Sequence, residues 1–143
     1  MKVSKLVLRK RSSLFNSIEN VFNTLFPLLC DTKKIELPFE SRGFIPRVKN
    51  ILFLIKQIEG GVIHITGHDH YLLCYPFKSA ILTIHDIEAL KRKTGLKRWI
   101  FKKLWFDLPI KNAKVVTTIS EFSKAELLTI KQYQTPIEVI SNP

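Results

Sequence analysis

The 143-residue sequence predicts an α/β fold, a parallel sheet with helices on both faces. Two observations carry the prediction. Short runs rich in Val and Ile recur along the chain, and between them the apolar residues change to helical spacing. Strand and helix alternate throughout, which a parallel sheet requires because each crossover needs a connecting element. A hydrophobic content of 45% suits one ordinary packed domain, so residues 1–143 are read as a single unit.

Residues 3–8 (VSKLVL) read as the first strand. After the polar turn RKRSS, Leu14, Ile18, Val21, Phe22, Leu25 and Phe26 recur at helical spacing; Asn16 and Glu19 resemble a capping box, and Pro27 ends the helix. KKIELPF (33–39) is the second strand. Pro46 suits the first turn of a helix whose apolar face is Val48, Ile51, Leu52, Ile55 and Ile58, with Gly60 and Gly61 as the stop. GVIHIT is a third strand running into Gly67, and a short helical segment is expected around Tyr71 to Tyr75. SAILTIH (79–85) is the fourth strand, followed by a basic, aromatic helix from about Leu96 to Leu108. KVVTTIS (114–120), the helix SEFSKAELLTIKQY and the strand PIEVIS (136–141) complete the series.

The net charge of +11 calls for an anionic partner: nucleic acid, lipid headgroups or a phosphorylated ligand. No nucleic-acid reader motif is present, so nucleic acid is not expected. The longest apolar run, Ile51 to Ile55, is far too short to cross a bilayer, and LVL near the start is too short for a signal-peptide core. Two cysteines, Cys30 and Cys74, fit a reducing compartment, so a cytoplasmic location is expected.

In an open parallel sheet, ligands bind beyond the carboxyl ends of the strands. HITGHDH (64–70) and His85-Asp86 both meet that edge, and they hold all four histidines. His68, Asp69, His70 and His85 offer metal-ligand atoms, but the spacing matches no zinc motif and no metal is expected. His64, between Ile63 and Ile65, reads as a structural histidine of its strand. Ser120 and Ser123 have no G-x-S-x-G context and read as helix-capping residues, Ser123 with Glu126 forming S-x-x-E. The loop after the first strand lacks glycine, so no phosphate-cradling fingerprint exists; Arg9, Lys10 and Arg11 with Ser12 and Ser13 offer an anion contact or a solvated basic loop. On a helical wheel Leu96, Ile100, Leu104, Leu108, Phe101 and Trp105 form a core arc. Trp99 and Phe106 fall on the other side among Arg98, Lys102 and Lys103. Such a face suits an anionic membrane surface or simple solvation.

The run TIHDIEALKRKTGLKRWIFKKLWFDLPIKNAKVVTTISEFSKAEL with the ending IEVISNP resembles the N-terminal domain of GT-B fold, retaining family 4-like glycosyltransferases. HITGHDHYL and LRKRSSLFNSIENVF are similar to earlier parts of that domain, so the likeness spans nearly the whole chain. The resemblance implies a Rossmann-like, acceptor-side domain of an enzyme moving a sugar from a nucleotide-sugar to a glycan or lipid-linked acceptor, without cofactor or metal. By position it makes His85 the catalytic residue and Gly67, Asp86, Ser120, Ser12 and Ser13 substrate contacts. The loop after the first strand departs from the family's glycine, which leaves that donor contact without its usual backbone. The family's second, nucleotide-sugar domain is expected to be absent. The chain alone is then inactive, a truncated product or half of an enzyme completed by a separate donor-domain polypeptide, working peripherally at the inner membrane face. Two other readings stay open: a non-catalytic interaction or membrane-docking module, and a metal-dependent hydrolase built on HITGHDH.

Overall fold

The computed structural model describes residues 4–10 and 17–141. Six strands form one sheet: β1 (Ser4–Leu8), β2 (Thr32–Glu36), β3 (Ile63–Ile65), β4 (Ala80–Ile84), β5 (Val115–Thr118) and β6 (Ile137–Val139). Every pairing is parallel, and the order across the sheet is β2-β1-β3-β4-β5-β6. All six lie where the sequence predicts them. The chain first steps to one side of β1 and then returns to build outward on the other. β1 and β3 are therefore neighbours whose exit loops diverge, which opens a crevice at their carboxyl ends.

The register divides the strand residues between two faces. Leu6 and Leu8 of β1 pack with Phe22 of α1 (Ser17–Leu25) in the smaller core cluster. Val7, Ile63, Ile65, Leu82, Ile84 and Val116 belong to the larger cluster, which α2 (Phe44–Gln57), a 3-10 turn (His70–Cys74) and residues 106–113 cover. Helices thus flank both faces, and the fold is Rossmann-like α/β. Among the described residues, no helix is long and apolar enough to cross a membrane.

α2 begins after Gly43, whose φ of +78° is a backbone that L side chains rarely adopt. Its inward face is rotated from the predicted one. Val48 and Leu52 are exposed, while Leu54 and the polar Asn50 are fully buried. Asn50 accepts from the Phe39 N–H at 3.2 Å and donates to the Phe39 carbonyl at 2.9 Å and to the Tyr71 hydroxyl at 3.1 Å. One side chain thereby ties the loop after β2 to the loop after β3. A hydrophobic pattern cannot register this, because Asn50 is buried by its hydrogen bonds.

The basic aromatic segment also departs from a regular helix. It folds as α3 (Glu88–Lys91), α4 (Gly95–Lys102), a π-helical turn (Lys103–Asp107) and α5 (Leu108–Asn112). The π turn, closed by the Leu108 N–H on the Lys103 carbonyl, holds more residues than an α turn and shifts the phase of the residues beyond it. Phe106, expected on the exposed face with Trp99, is consequently 2% exposed and packs against the His70 ring with centroids 5.6 Å apart. Leu96, Ile100, Leu104 and Leu108, expected in the core, are exposed. The remaining helix, α6 (Glu121–Ile130), starts at Ser120, whose hydroxyl accepts from the Ser123 N–H at 3.1 Å.

Candidate functional site

The loops leaving β1, β3 and β4 converge on a cavity of about 330 Å³ at the carboxyl edge of the sheet. Arg9 and Lys10 come from the first loop, His68, Asp69 and His70 from the second, and Asp86 from the third. Arg47 of α2, Ser41 and Arg42 before it, and Phe101, Trp105 and Phe106 close the sides. This is the β1/β3 crevice that the strand order creates, so topology alone puts the site there. No protein-family model, curated protein or solved structure matches this chain.

A hydrogen bond fixes the His70 tautomer. The His70 Nδ1 lies 2.9 Å from the Trp105 carbonyl, which can only accept, so Nδ1 carries the hydrogen and Nε2 presents a lone pair. Complete burial, reinforced by His68, lowers the His70 pKa to about 3 and keeps the ring neutral. Its Nε2 is buried without a partner among the described residues. Asp69 is buried beside it; burial raises its pKa, against the opposing pull of the Ser41 hydroxyl and of Arg9, and its Oδ2 is likewise unpartnered. The third such atom is the Nε of Arg47, whose guanidinium lies 4.6 Å from the centre of the Trp105 ring. Three buried polar atoms without partners among the described residues thus belong to residues that line one cavity.

His85 stands at the end of β4 and is 9% exposed. Its Nε2–H donates to the Thr66 carbonyl at 2.9 Å, leaving Nδ1 as the lone-pair nitrogen, and burial lowers its pKa. Its ring sits 6.0 Å from that of the exposed His68, next to the cavity and outside its immediate lining. The Ser123 hydroxyl donates to the His85 carbonyl at 2.9 Å, fixing its backbone.

The other predicted residues divide. Gly67 follows Thr66 at the same edge, and a Cβ there would meet nothing within 4 Å, so the chain's own packing does not demand glycine. Asp86 lines the cavity, with one carboxylate oxygen accepting from the Glu88 N–H at 3.0 Å. Ser120 serves as the cap of α6, one hydroxyl away from the His85 backbone and not in the cavity wall. Ser12, Ser13, Arg11 and Asn16 lie outside the described residues. Glu19, read as a capping partner of Asn16, is ion-paired with Arg9, whose Nη2 lies 3.0 Å from Glu19 Oε2; the Asn16 half of that capping box lies outside the described residues. This pair ties the loop after β1 to α1.

His64 has the structural role expected of it. It contacts Phe22 edge-on and is 2.7 Å from the Thr83 hydroxyl, itself 2.8 Å from the Thr117 hydroxyl. Burial lowers its pKa to about 4. Among the described residues, no three His, Cys, Asp or Glu side chains are placed to hold a metal ion. Of the basic face, Arg98 donates to the Leu90 carbonyl at 2.7 Å, Lys102 pairs with Asp107 at 3.0 Å and Lys103 with the same carboxylate at 3.4 Å. Trp99 is exposed; Phe106 is not.

Sequence reasoning missed Arg47, Phe101 and Trp105 as site residues. Phe101 and Trp105 stack nearly parallel, 4.7 Å apart, as i and i+4 neighbours. That spacing was visible, but it reads as core until the sheet edge beneath it is known.

Proposed function

We propose that the chain forms the acceptor-side wall of a sugar-transfer cleft of the GT-B type. One observation carries the reading. A cation-rich, aromatic-walled cavity lies at the topological switch point of a parallel sheet, and its β3 and β4 loops are the segments TGHDH and HD on which the family resemblance rests. Aromatic faces and buried acceptors suit a hydroxylated ligand, and the cations suit phosphate. His85, neutral with its Nδ1 lone pair available, supports transfer as a hydrogen-bond acceptor near the reacting sugar. Transfer requires a nucleotide-sugar held opposite this wall, by further chain or by a separate donor-domain polypeptide, since the reacting atoms must meet in one water-excluded geometry. The expected setting is the cytoplasmic membrane face.

The test is sugar transfer from radiolabelled nucleotide-sugars in cells producing the chain with its donor half. His85→Ala lowers turnover at least tenfold, a loss much larger than its effect on folding as read from the urea midpoint. Unchanged turnover removes His85 from the mechanism, and no transfer with any donor removes the enzyme reading. A docking module without catalysis is the second reading, favoured by the exposed Leu96, Trp99 and Ile100 on α4. It is separated from the first by membrane binding that persists when transfer is absent.

A further inference from the structure

An apolar groove of about 580 Å³ runs between α2 and α4, walled by Phe44, Val48 and Ile51 on one side and Ile100 and Leu104 on the other. Lys93 and Lys97 stand on its margin, and among the described residues no acidic side chain lines it. Groove and cavity share three residues, Arg47, Phe101 and Trp105, so the apolar trough and the polar cavity are adjoining compartments. Both volumes lie in the range of small-molecule sites.

We propose that the two compartments take one ligand, a lipid whose hydrocarbon chain lies in the groove and whose hydroxylated, phosphorylated headgroup enters the cavity. This rests on the sugar-transfer reading and narrows its acceptor from glycan or lipid to lipid. In the cavity, the Asp69 carboxyl and the His70 ring, 7% and 2% exposed, present unpartnered oxygen and nitrogen acceptors. Buried acceptors without donors are costly, and sugar hydroxyls supply the missing hydrogens. Phosphate complements the Arg47 Nε–H and Lys10, with Lys93 and Lys97 beside the groove, while Arg42 at the mouth is paired with Glu40 at 3.8 Å. The chain covers Phe44, Val48 and Ile100, which water otherwise meets. A peptide helix laid in the groove fills the apolar half but leaves Asp69 and His70 unpaired. A free sugar phosphate leaves the groove empty. One amphipathic anion satisfies both.

The experiment is isothermal titration calorimetry of the purified chain with decyl phosphate and with decyl β-glucoside, each kept below its micellar concentration. Both bind with one-to-one stoichiometry. Shortening the chain from decyl to octyl weakens each about fifteenfold, the effect of two buried methylenes. Ile100→Glu, at a half-exposed position that does not support the core, weakens both more than tenfold. Lys97→Glu weakens decyl phosphate several-fold and leaves the glucoside unchanged. Circular dichroism confirms that both variants remain folded. Absence of saturable binding overturns the proposal, as does binding indifferent to chain length or to Ile100→Glu, and as does association confined to anionic vesicles. None of these readings involves transfer, so binding without transfer sinks the enzyme reading alone.

Discussion

Acidification from about pH 7 to about pH 5 is expected to destabilise this protein through two buried histidines. His64 and His70 are held neutral in the fold, with pKa values lowered from 6.5 to about 4 and about 3. Between those values and 6.5 only the unfolded chain takes up the proton. The unfolded state then binds more protons, so stability rises with pH through the window and is lost as pH falls below 6.5. Each pH unit corresponds to about 1.4 kcal/mol per histidine. By about pH 5 each histidine has cost roughly 2 kcal/mol and the pair roughly 4, a large part of the 5–15 kcal/mol that holds a typical domain together. His85, also lowered by burial, acts in the same direction. Asp69 opposes it, because a carboxyl raised by burial binds its proton in the fold before the unfolded chain does. The assay is urea unfolding followed by far-ultraviolet circular dichroism at several pH values. His64→Gln, which keeps a hydrogen-bonding partner for Thr83, removes one titrating group and flattens the slope by about 1.4 kcal/mol per pH unit. A stability that stays constant from pH 7 to pH 5, or a His64→Gln slope identical to the parent's, refutes the reasoning.

The rotated aromatic face gives a sharper comparison. Phe106→Ala is expected to destabilise by about 3–5 kcal/mol, and Trp99→Ala by less than about 1, both read from urea midpoints; the reverse order restores the regular helical wheel. Ser123→Ala leaves the His85 carbonyl unpaired and costs about 1–3 kcal/mol, with His85 ring resonances shifting by NMR. Ser120→Ala loses a helix cap worth about 1 kcal/mol, and those resonances stay in place. Asn50→Leu strips partners from the Phe39 N–H and carbonyl; Phe39 is exposed, so water replaces part of the loss and the cost is about 1 kcal/mol. Faster proteolysis around Phe39 is the accompanying sign, and an unchanged midpoint contradicts the clamp.

The sheet was legible because β-branched runs bounded by turns are a local signal that tertiary packing reinforces. All six strands, and the carboxyl edge with His85, Asp86 and Gly67 on it, follow from those runs and their alternation with helices. Strand order was not legible. Nothing local says that the chain crosses back past β1, and that reversal is what makes one stretch of the edge a crevice. The errors share one physical origin. The predicted inner faces of α2 and of the aromatic segment assumed an unbroken 100° per residue and apolar burial. Asn50 is buried by hydrogen bonding, and the π turn at Lys103–Asp107 changes the angle. The first goes with Val48 and Leu52 facing outward, and the second carries Phe106 inward.

Those displacements are also what create the site. Had Lys103–Asp107 continued as α-helix, Phe106 would leave the His70 ring, and the Trp105 carbonyl that fixes the His70 Nδ1–H would move with it. With Nδ1 fixed and the ring buried, His70 stays neutral and offers a lone pair near neutrality. The positive charge belongs instead to Lys10 and Arg47 around the walls, with Arg42 paired to Glu40 at 3.8 Å. A ligand therefore meets acceptors in depth and cations nearer the surface, an arrangement that orients a molecule bearing hydroxyls at one end and a phosphate beside them. The apolar trough next to the cavity is opened by Ile100 of α4, which precedes the turn, and by Leu104 at the start of the turn, both facing outward.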